Sequence, residues 1–159
     1  MKRKVRKQLL NLAIGEMAAS GAFVFAYYTS RGGLASLMAL GMLVFVLLQG
    51  SFYWLARYRY LFKMPSLIIR SMALSRKLDL VLLLVLPFVI VFVREGTVDL
   101  VVAASIYLFA VIEYINYFWY RLSYGRSGFN MKLLMVNGLK ESSIRKLLRQ
   151  SDGDIEHRS

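Results

Sequence analysis

The chain contains no cysteine and only one histidine among its 159 residues. The missing thiols exclude disulfide bonds, thiolate nucleophiles and cysteine-ligated metal sites. His157 lies in the polar stretch RQSDGDIEHRS at 149–159, where we expect it to be solvated. The sequence also has no paired-acid motif and no Asp-rich metal motif. We therefore expect a protein that is not an enzyme, with no catalytic residues, no metal and no cofactor.

Acidic residues are scarce, with nine Asp and Glu against 21 Lys and Arg, for a formal net charge of +12. A basic excess can indicate nucleic-acid binding. Here, however, the positive residues flank long apolar runs, and the sequence has no nucleic-acid-binding fingerprint. We therefore expect the charge to set membrane topology and to attract anionic lipid headgroups, with no nucleic-acid partner.

Long apolar runs account for a hydrophobic fraction of 58% and a mean hydropathy of +0.52. As helices they would span roughly 24–35 Å, against roughly 30 Å of bilayer hydrocarbon. The predicted fold class is therefore all-α, an integral membrane four-helix bundle made of two helical hairpins. The four predicted spans are residues 8–29, 34–56, 78–93 and 98–120, of which the third contains Pro87.

The positive charges also predict orientation. All but two of the 21 Lys and Arg residues lie before span one, between spans two and three, or after span four. Only Arg31 and Arg94 fall in the other two loops, the turn-sized SRGG at 30–33 and REGT at 94–97. The positive-inside rule then places both termini in the cytoplasm. We expect the first run to be a retained anchor rather than a cleaved signal peptide, since it is too long for a typical signal and further spans follow.

The predicted domains are a membrane domain, 1–124, and a cytoplasmic tail, 125–159. Within the first, the basic segment 57–77 either lies in the membrane interface, broken at Pro65, or is an ordinary loop that fixes topology. In the tail, Ser142 or Ser143 can cap a short amphipathic helix with Ile144, Leu147 and Leu148 on one face. Residues 151–159 read as a disordered end.

Four polar residues inside the predicted spans are costly in hydrocarbon and need partners. By depth they form one intramembrane polar layer in the inner leaflet: Glu16, Gln49, Glu113 and Asn116. Two interpretations stay open. They are hydrogen-bonding groups that fix helix register, or the two acids carry protons. We also expect Asp79 at the interface beside a Lys or Arg, and a close-packing small-residue face on span one, comprising Gly15, Ala18, Ala19, Ala22 and Ala26.

The inner ends of spans two and four share a pattern at an offset of 64 residues. Gln49, Tyr53, Arg57 and Tyr60 match Glu113, Tyr117, Arg121 and Tyr124. The match indicates either a duplicated hairpin, as in parallel repeats, or two independent aromatic belts. In both cases an aromatic and basic inner face is predicted, made of Tyr53, Arg57, Tyr60, Tyr117, Tyr120, Arg121 and Tyr124. Lipid-headgroup contacts are predicted for Arg57, Arg59, Lys63 and Arg70.

The strings EYINYF at 113–118, RLSY at 121–124 and QGSFYW at 49–54 resemble small uncharacterised four-span membrane proteins of Gram-positive bacteria, some labelled general stress protein. The resemblance implies a bacterial plasma-membrane location but no reaction or ligand. Glu16 is also placed like the first-span glutamate of the small multidrug transporters. The long basic loop, the basic tail and the second intramembrane acid all depart from that family.

Two functions follow as expectations. The first is a non-enzymatic membrane protein that scaffolds, regulates or assembles with a membrane-protein partner through its basic cytoplasmic face. The second is an oligomeric proton- or cation-coupled transporter or channel subunit that uses Glu16 and Glu113. Four helices rarely enclose a pathway alone, so the second requires a homo-oligomer.

Overall fold

The computed structural model of the chain describes residues 2–30, 32–61, 64–121, 140–147 and 149. These residues are mostly helical, which confirms the all-α fold class. The four long helices are α1 (Lys2–Ser30), α2 (Leu34–Arg59), α3 (Ser66–Val93) and α4 (Thr97–Phe118). Two two-residue strands, β1 (Tyr120–Arg121) and β2 (Lys140–Glu141), pair antiparallel.

The chain divides into two compact units, Met1–Val111 and Ile112–Ser159. The first unit contains α1, α2, α3 and the larger part of α4. The second contains the last residues of α4, the strand pair and a short helical segment after it.

Helix α2 is the most buried helix of the first unit. Its buried positions recur every three or four residues and include many small side chains, which let neighbouring helices approach closely. They are Ala35, Ser36, Ala39, Leu40, Met42, Leu43, Val46, Leu47, Gly50, Ser51, Tyr53 and Ala56. Helix α1 runs antiparallel to α2, since Ser51 Oγ donates to the carbonyl of Ala13 at 3.0 Å. Position and burial thus make α2 the central helix of this unit.

The buried face of α1 differs from the predicted small-residue face. Ala13 and Ser20 are buried against the bundle, and Glu16 is half-buried between them. Gly15, Ala18, Ala22 and Ala26 are exposed, and only Ala19 is partly covered. Within the chain, Ala13 and Ser51 supply the close approach from the neighbouring side of α1, and close packing of the small-residue face against another helix stays a prediction.

Helix α3 begins well before the predicted third span. The amides of Ile68 and Ile69 bond to the carbonyl of Pro65 at 3.1 and 3.3 Å, so the helix starts directly after this proline. Its first turns are the basic stretch SLIIRSMALSRK, which was predicted as a loop or a separate interfacial piece. Nothing in that stretch breaks a helix, and it therefore continues without interruption into the apolar residues 78–93. Pro87 is accommodated inside the helix.

A second antiparallel contact joins α3 to the first part of α4. Tyr107 Oη donates to the carbonyl of Leu83 at 3.0 Å. Nearer the turn that joins α3 to α4, Ile90 and Ala103 form a buried cluster with Ala35 and Ala39 of α2. The two helical pairs therefore meet through alanines, where the absence of long side chains allows close packing.

The helix boundaries repeat along the chain. Helix α3 begins 64 residues after α1, and α4 begins 63 residues after α2. Burial follows the same offset: Ala39 and Ala103 are fully buried, as are Val46 and Ala110, whereas Phe45 and Phe109 are 39% and 38% exposed. The offset seen in the sequence thus extends over whole hairpins.

In the second unit, the chain after α4 is held by backbone and side-chain bonds. The amide of Ser142 bonds to the carbonyl of Trp119 at 3.2 Å, next to the β1–β2 pair. Ser142 Oγ then accepts from the amide of Arg145 at 3.1 Å, which is a helix N-cap at one of the two predicted positions. Ile144 is buried, and Lys146 and Arg149 are exposed. The two-residue strand pair has no sequence periodicity and was not expected.

Candidate functional site

The most buried charged side chain described is Asp79, near the middle of α3. It is 0% exposed, and its Oδ1 accepts a hydrogen bond from Gln49 Nε2 of α2 at 2.9 Å. The sequence predicted an interfacial Asp79 beside a Lys or Arg. In the structure residues 66–77 are part of α3, and Asp79 lies against α2, where the Gln49 amide donates to it; its interfacial depth stays a prediction.

The Gln49–Asp79 pair leaves two oxygen atoms unsatisfied. Among the described residues, neither Asp79 Oδ2 nor Gln49 Oε1 has a hydrogen-bond partner, although both atoms are buried. A buried acceptor without a donor costs about 1–3 kcal/mol. The sequence analysis singled out both residues, Gln49 in the polar layer and Asp79 at the interface, but it did not predict that they pair.

The other members of the predicted polar layer have their own local partners. In the second unit, Asn116 Nδ2 donates to Glu113 Oε2 at 3.3 Å, one turn away on the same helix. Glu16 is half-buried on α1, and its backbone carbonyl accepts from Ser20 Oγ at 2.9 Å. The structure thus brings together Glu113 with Asn116, and Gln49 with Asp79. The common layer of four residues stays a prediction.

At the opposite end of the first unit, one carboxylate ties three backbone segments together. Asp99, in the first turn of α4, accepts from the amides of Ala35 and Ser36 at 3.2 and 3.0 Å, and from the amide of Glu95 at 3.1 Å. The first amides of α2 lack helical partners and carry its positive dipole end, so an anion is favoured there. An internal side chain therefore fills the anion site of α2.

Two further residues complete this cap. Tyr27 Oη donates to the carbonyl of Gly32 at 2.9 Å. A Cβ at Gly33 would lie 2.6 Å from Asp99 Cγ, so only glycine leaves room for the carboxylate. Asp99 was not predicted from the sequence, although an acid just after the helix start at Thr97, together with the Gly-Gly pair before α2, was the available signal.

The end of the first unit opposite the Asp99 cap gathers basic and aromatic side chains from two helices. The guanidinium of Arg6 lies 5.8 Å from the ring centroid of Tyr58, within cation–π range. Arg57 and Arg59 occupy the last turn of α2, where cations complement the helix dipole. The N-terminal basic residues and the basic end of α2 therefore form one surface, which we call the basic end. The basic end adjoins a groove of about 380 Å³, whose wall includes Arg59.

The residues of the predicted aromatic and basic face belong to both units and differ in burial. Tyr53 is fully buried, Arg57 is half-buried, and Arg59, Tyr60 and Arg70 are exposed. In the second unit Tyr117 is buried and Tyr120 is half-buried. The backbone of Arg121 pairs in β1. Lys63 and Tyr124 lie outside the described residues.

In the second unit an arginine that was not predicted joins this aromatic set. The guanidinium of Arg145 lies 5.5 Å from the ring centroid of Trp119 and 5.3 Å from that of Tyr120. Its Nε also lies 3.8 Å from Glu141 Oε1. The tail thus contributes one cation to Tyr120, which belongs to the predicted aromatic and basic face, and to the neighbouring ring of Trp119.

Within the described part of the chain, no group of three or more His, Cys, Asp or Glu side chains could hold a metal ion.

Three of the helices are long and apolar enough to cross a membrane: Arg3–Ser30, Leu34–Arg59 and Thr97–Phe118. The part of the chain that the structure describes is therefore largely helical and contains three candidate membrane spans. Helix α3 also has an apolar half, residues 78–93, but a stretch of membrane-spanning length in this helix would include the charged residues Arg76, Lys77 and Asp79. No family model, no curated protein and no solved structure matches this chain.

Proposed function

We propose that this chain is a small multi-pass membrane protein of non-enzymatic type, which scaffolds, regulates or assembles with a membrane-protein partner through its basic end. Four spans and two cytoplasmic termini are part of the proposal. The observation that carries it is the contact of Arg6 with Tyr58. This contact joins the positive residues before α1 to Arg57 and Arg59 in a single surface on which a partner or an anionic headgroup can dock.

The polar contacts between helices support a static role. Gln49 with Asp79, Ser51 with Ala13, and Tyr107 with Leu83 each link two different helices. Interhelical hydrogen bonds of this kind stabilise membrane bundles by about 0.6–2 kcal/mol each. The costly polar groups described in the first unit therefore have a structural use that needs no transported ion.

The orientation can be tested directly, because the chain has no native cysteine. Single cysteines at exposed positions would be labelled with a membrane-impermeant maleimide in intact cells. We expect labelling of Ser30→Cys and Glu95→Cys from outside, and labelling of Lys4→Cys and Lys146→Cys only after permeabilisation. For the two ends of α3, we expect Ser66→Cys to be protected from the reagent in intact cells and Glu95→Cys to be labelled. The reverse pattern, or the same pattern for both, would contradict a third span.

The working surface can be tested in the same cysteine variants. A photoactivatable maleimide at Ser66→Cys, which is exposed at the start of α3, is expected to give a discrete crosslinked product in cells. The matched control is Glu95→Cys at the other end of the same helix pair. A product of equal mass and yield from Glu95→Cys, or none from Ser66→Cys, would contradict a partner at the basic end.

The alternative is an oligomeric proton- or cation-coupled transporter or channel subunit, which the two unsatisfied oxygens of Gln49 and Asp79 favour. Glu16 and Glu113 were its predicted carriers, and Asp79 is now a third. Proteoliposomes with an internal pH-sensitive dye separate the two functions. The scaffold predicts no proton leak above empty vesicles. A leak that Glu16→Gln, Glu113→Gln or Asp79→Asn abolishes, in a folded variant, would favour the transporter.

A further inference from the structure

A groove of about 380 Å³ lies at the C-terminal end of α2. Its walls come from the last two turns of α2 and the first turn of α3, with Phe52, Leu55, Ala56, Arg59, Tyr60 and Ile68 among them. Phe52 and Leu55 are 50% and 49% exposed. The volume is within the range of small-molecule sites, about 300–1,000 Å³.

The groove is apolar along its length and carries charge at one end only. Phe52 lies two turns up the helix from Arg59, so it is about 10 Å further along the helix axis. Arg59 is exposed in the last turn of α2. A ligand that fills the groove must therefore be amphipathic, with a long apolar part and an anionic end.

Charge complementarity indicates the sign and source of that anion. The segment 57–77 contains six Lys and Arg residues and no Asp or Glu. Arg is also the side chain best suited to a phosphate, because its planar guanidinium donates two parallel hydrogen bonds. In a membrane the amphipathic anions at this depth are the phospholipids of the inner leaflet.

We propose that this groove binds an anionic diacyl phospholipid. One acyl chain packs along Phe52 and Leu55, and the phosphate pairs with Arg59. The inference rests on the proposed membrane placement but on no particular partner or transport activity. It also separates Arg59 from the other described basic residues of the segment, since among the residues that the structure describes Arg59 is the charged one in the groove wall.

The test is native mass spectrometry of the full chain in mild detergent, titrated with dioleoyl phosphatidylglycerol or dioleoyl phosphatidylcholine. We expect saturable binding of one phosphatidylglycerol, with at least tenfold weaker binding of phosphatidylcholine. Arg59→Gln should weaken phosphatidylglycerol binding about tenfold. Ile68→Trp should weaken it by filling the groove, and Leu55→Trp serves the same purpose if Ile68→Trp does not fold.

The matched control is Arg3→Gln, which removes the same charge from an exposed position outside the groove wall. Equal loss in Arg3→Gln and Arg59→Gln would mean diffuse attraction and would overturn the proposal. So would unchanged binding in both tryptophan variants, equal binding of phosphatidylcholine, or a dimer that occupies the groove and disappears in Ile68→Trp. Cysteine labelling separates the two levels of failure: a failed labelling pattern rejects the membrane placement, whereas a correct pattern with failed lipid binding rejects this inference alone.

Discussion

Asp99 and Ala35 are 64 residues apart in sequence, and the carboxylate of Asp99 accepts a hydrogen bond from the backbone amide of Ala35 at 3.2 Å. They are also equivalent positions in the offset that relates α2 to α4. The next matched pair along the helices, Ala39 and Ala103, belongs to one buried cluster. Contacts between equivalent positions are what a pseudo-two-fold relation between the hairpins predicts, and they support duplication over two independent belts.

The first prediction concerns the Asp99 cap. Asp99→Ala leaves the amides of Ala35 and Ser36 without their acceptor in a buried place, so we expect a loss of about 1–3 kcal/mol in the free energy of unfolding. Asp99→Asn keeps one acceptor oxygen and should lose less. The measurement is reversible unfolding of the full chain in mixed detergent.

Gly33→Ala provides an independent check on the same cap. Its Cβ would displace the Asp99 carboxylate, and the loss should therefore not add to that of Asp99→Ala in the double variant. The matched control is Glu95→Ala, because Glu95 uses only its amide in this cluster and its side chain is exposed. Fully additive losses would show that Gly33 and Asp99 do not act together.

The second prediction concerns the Gln49–Asp79 pair. Gln49→Leu removes the donor from a fully buried carboxyl group and should cost about 1–3 kcal/mol in unfolding free energy. The double variant Gln49→Leu/Asp79→Leu should recover most of that loss, since no polar group is then left unpaired. Chemical unfolding of the two single variants and the double variant forms a complete cycle.

An additive cycle at this site would contradict a coupled pair. If Asp79→Leu alone is at least as stable as the wild type, the carboxyl group is a net cost that folding does not require. That result would strengthen the transporter alternative and would make Asp79 the first residue to test for proton flux.

The third prediction contrasts two faces of α1 with one kind of substitution. Ala13→Leu overpacks a buried contact with Ser51 and should cost about 1–3 kcal/mol. Ala22→Leu lies on the exposed small-residue face and should change unfolding free energy by less than about 0.5 kcal/mol. Size-exclusion chromatography with light scattering accompanies the unfolding measurement. A change of oligomeric state in Ala22→Leu alone would mean that this face packs against another copy.

The fourth prediction concerns Glu113 of α4. Glu113→Leu removes the acceptor of the Asn116 amide, and we expect an unfolding midpoint a few degrees lower, corresponding to roughly 1 kcal/mol. Glu113→Gln keeps an acceptor and should stay near the wild-type midpoint. Glu16→Leu is measured beside them. An unchanged or raised midpoint in Glu113→Leu would argue that the carboxyl group is kept for a function other than folding.

Much of the helical architecture could be predicted from local pattern. The signals are local: apolar runs of membrane-spanning length, Gly-containing turns at 30–33 and 94–97, and Ser142 just before the amphipathic segment that contains Ile144. The start of α3 could not be placed, because a basic helix turn and a basic loop have the same composition. Nor could the buried face of α1 be chosen, since Ala13 and Ala22 are equally small and only the position of Ser51 distinguishes them.

The sequence by itself determined the helical class, the charge asymmetry and the aromatic, basic character of the C-terminal ends of α2 and α4, because hydrophobic length and charge are properties of single segments. Only the tertiary structure decided that Gln49 pairs with Asp79 and that Asp99 caps α2. Each of these bonds joins residues 30 or more positions apart. The packing of the helices decides which residues form these bonds. Local sequence pattern does not, because other polar side chains in the same helices would fit that pattern equally well.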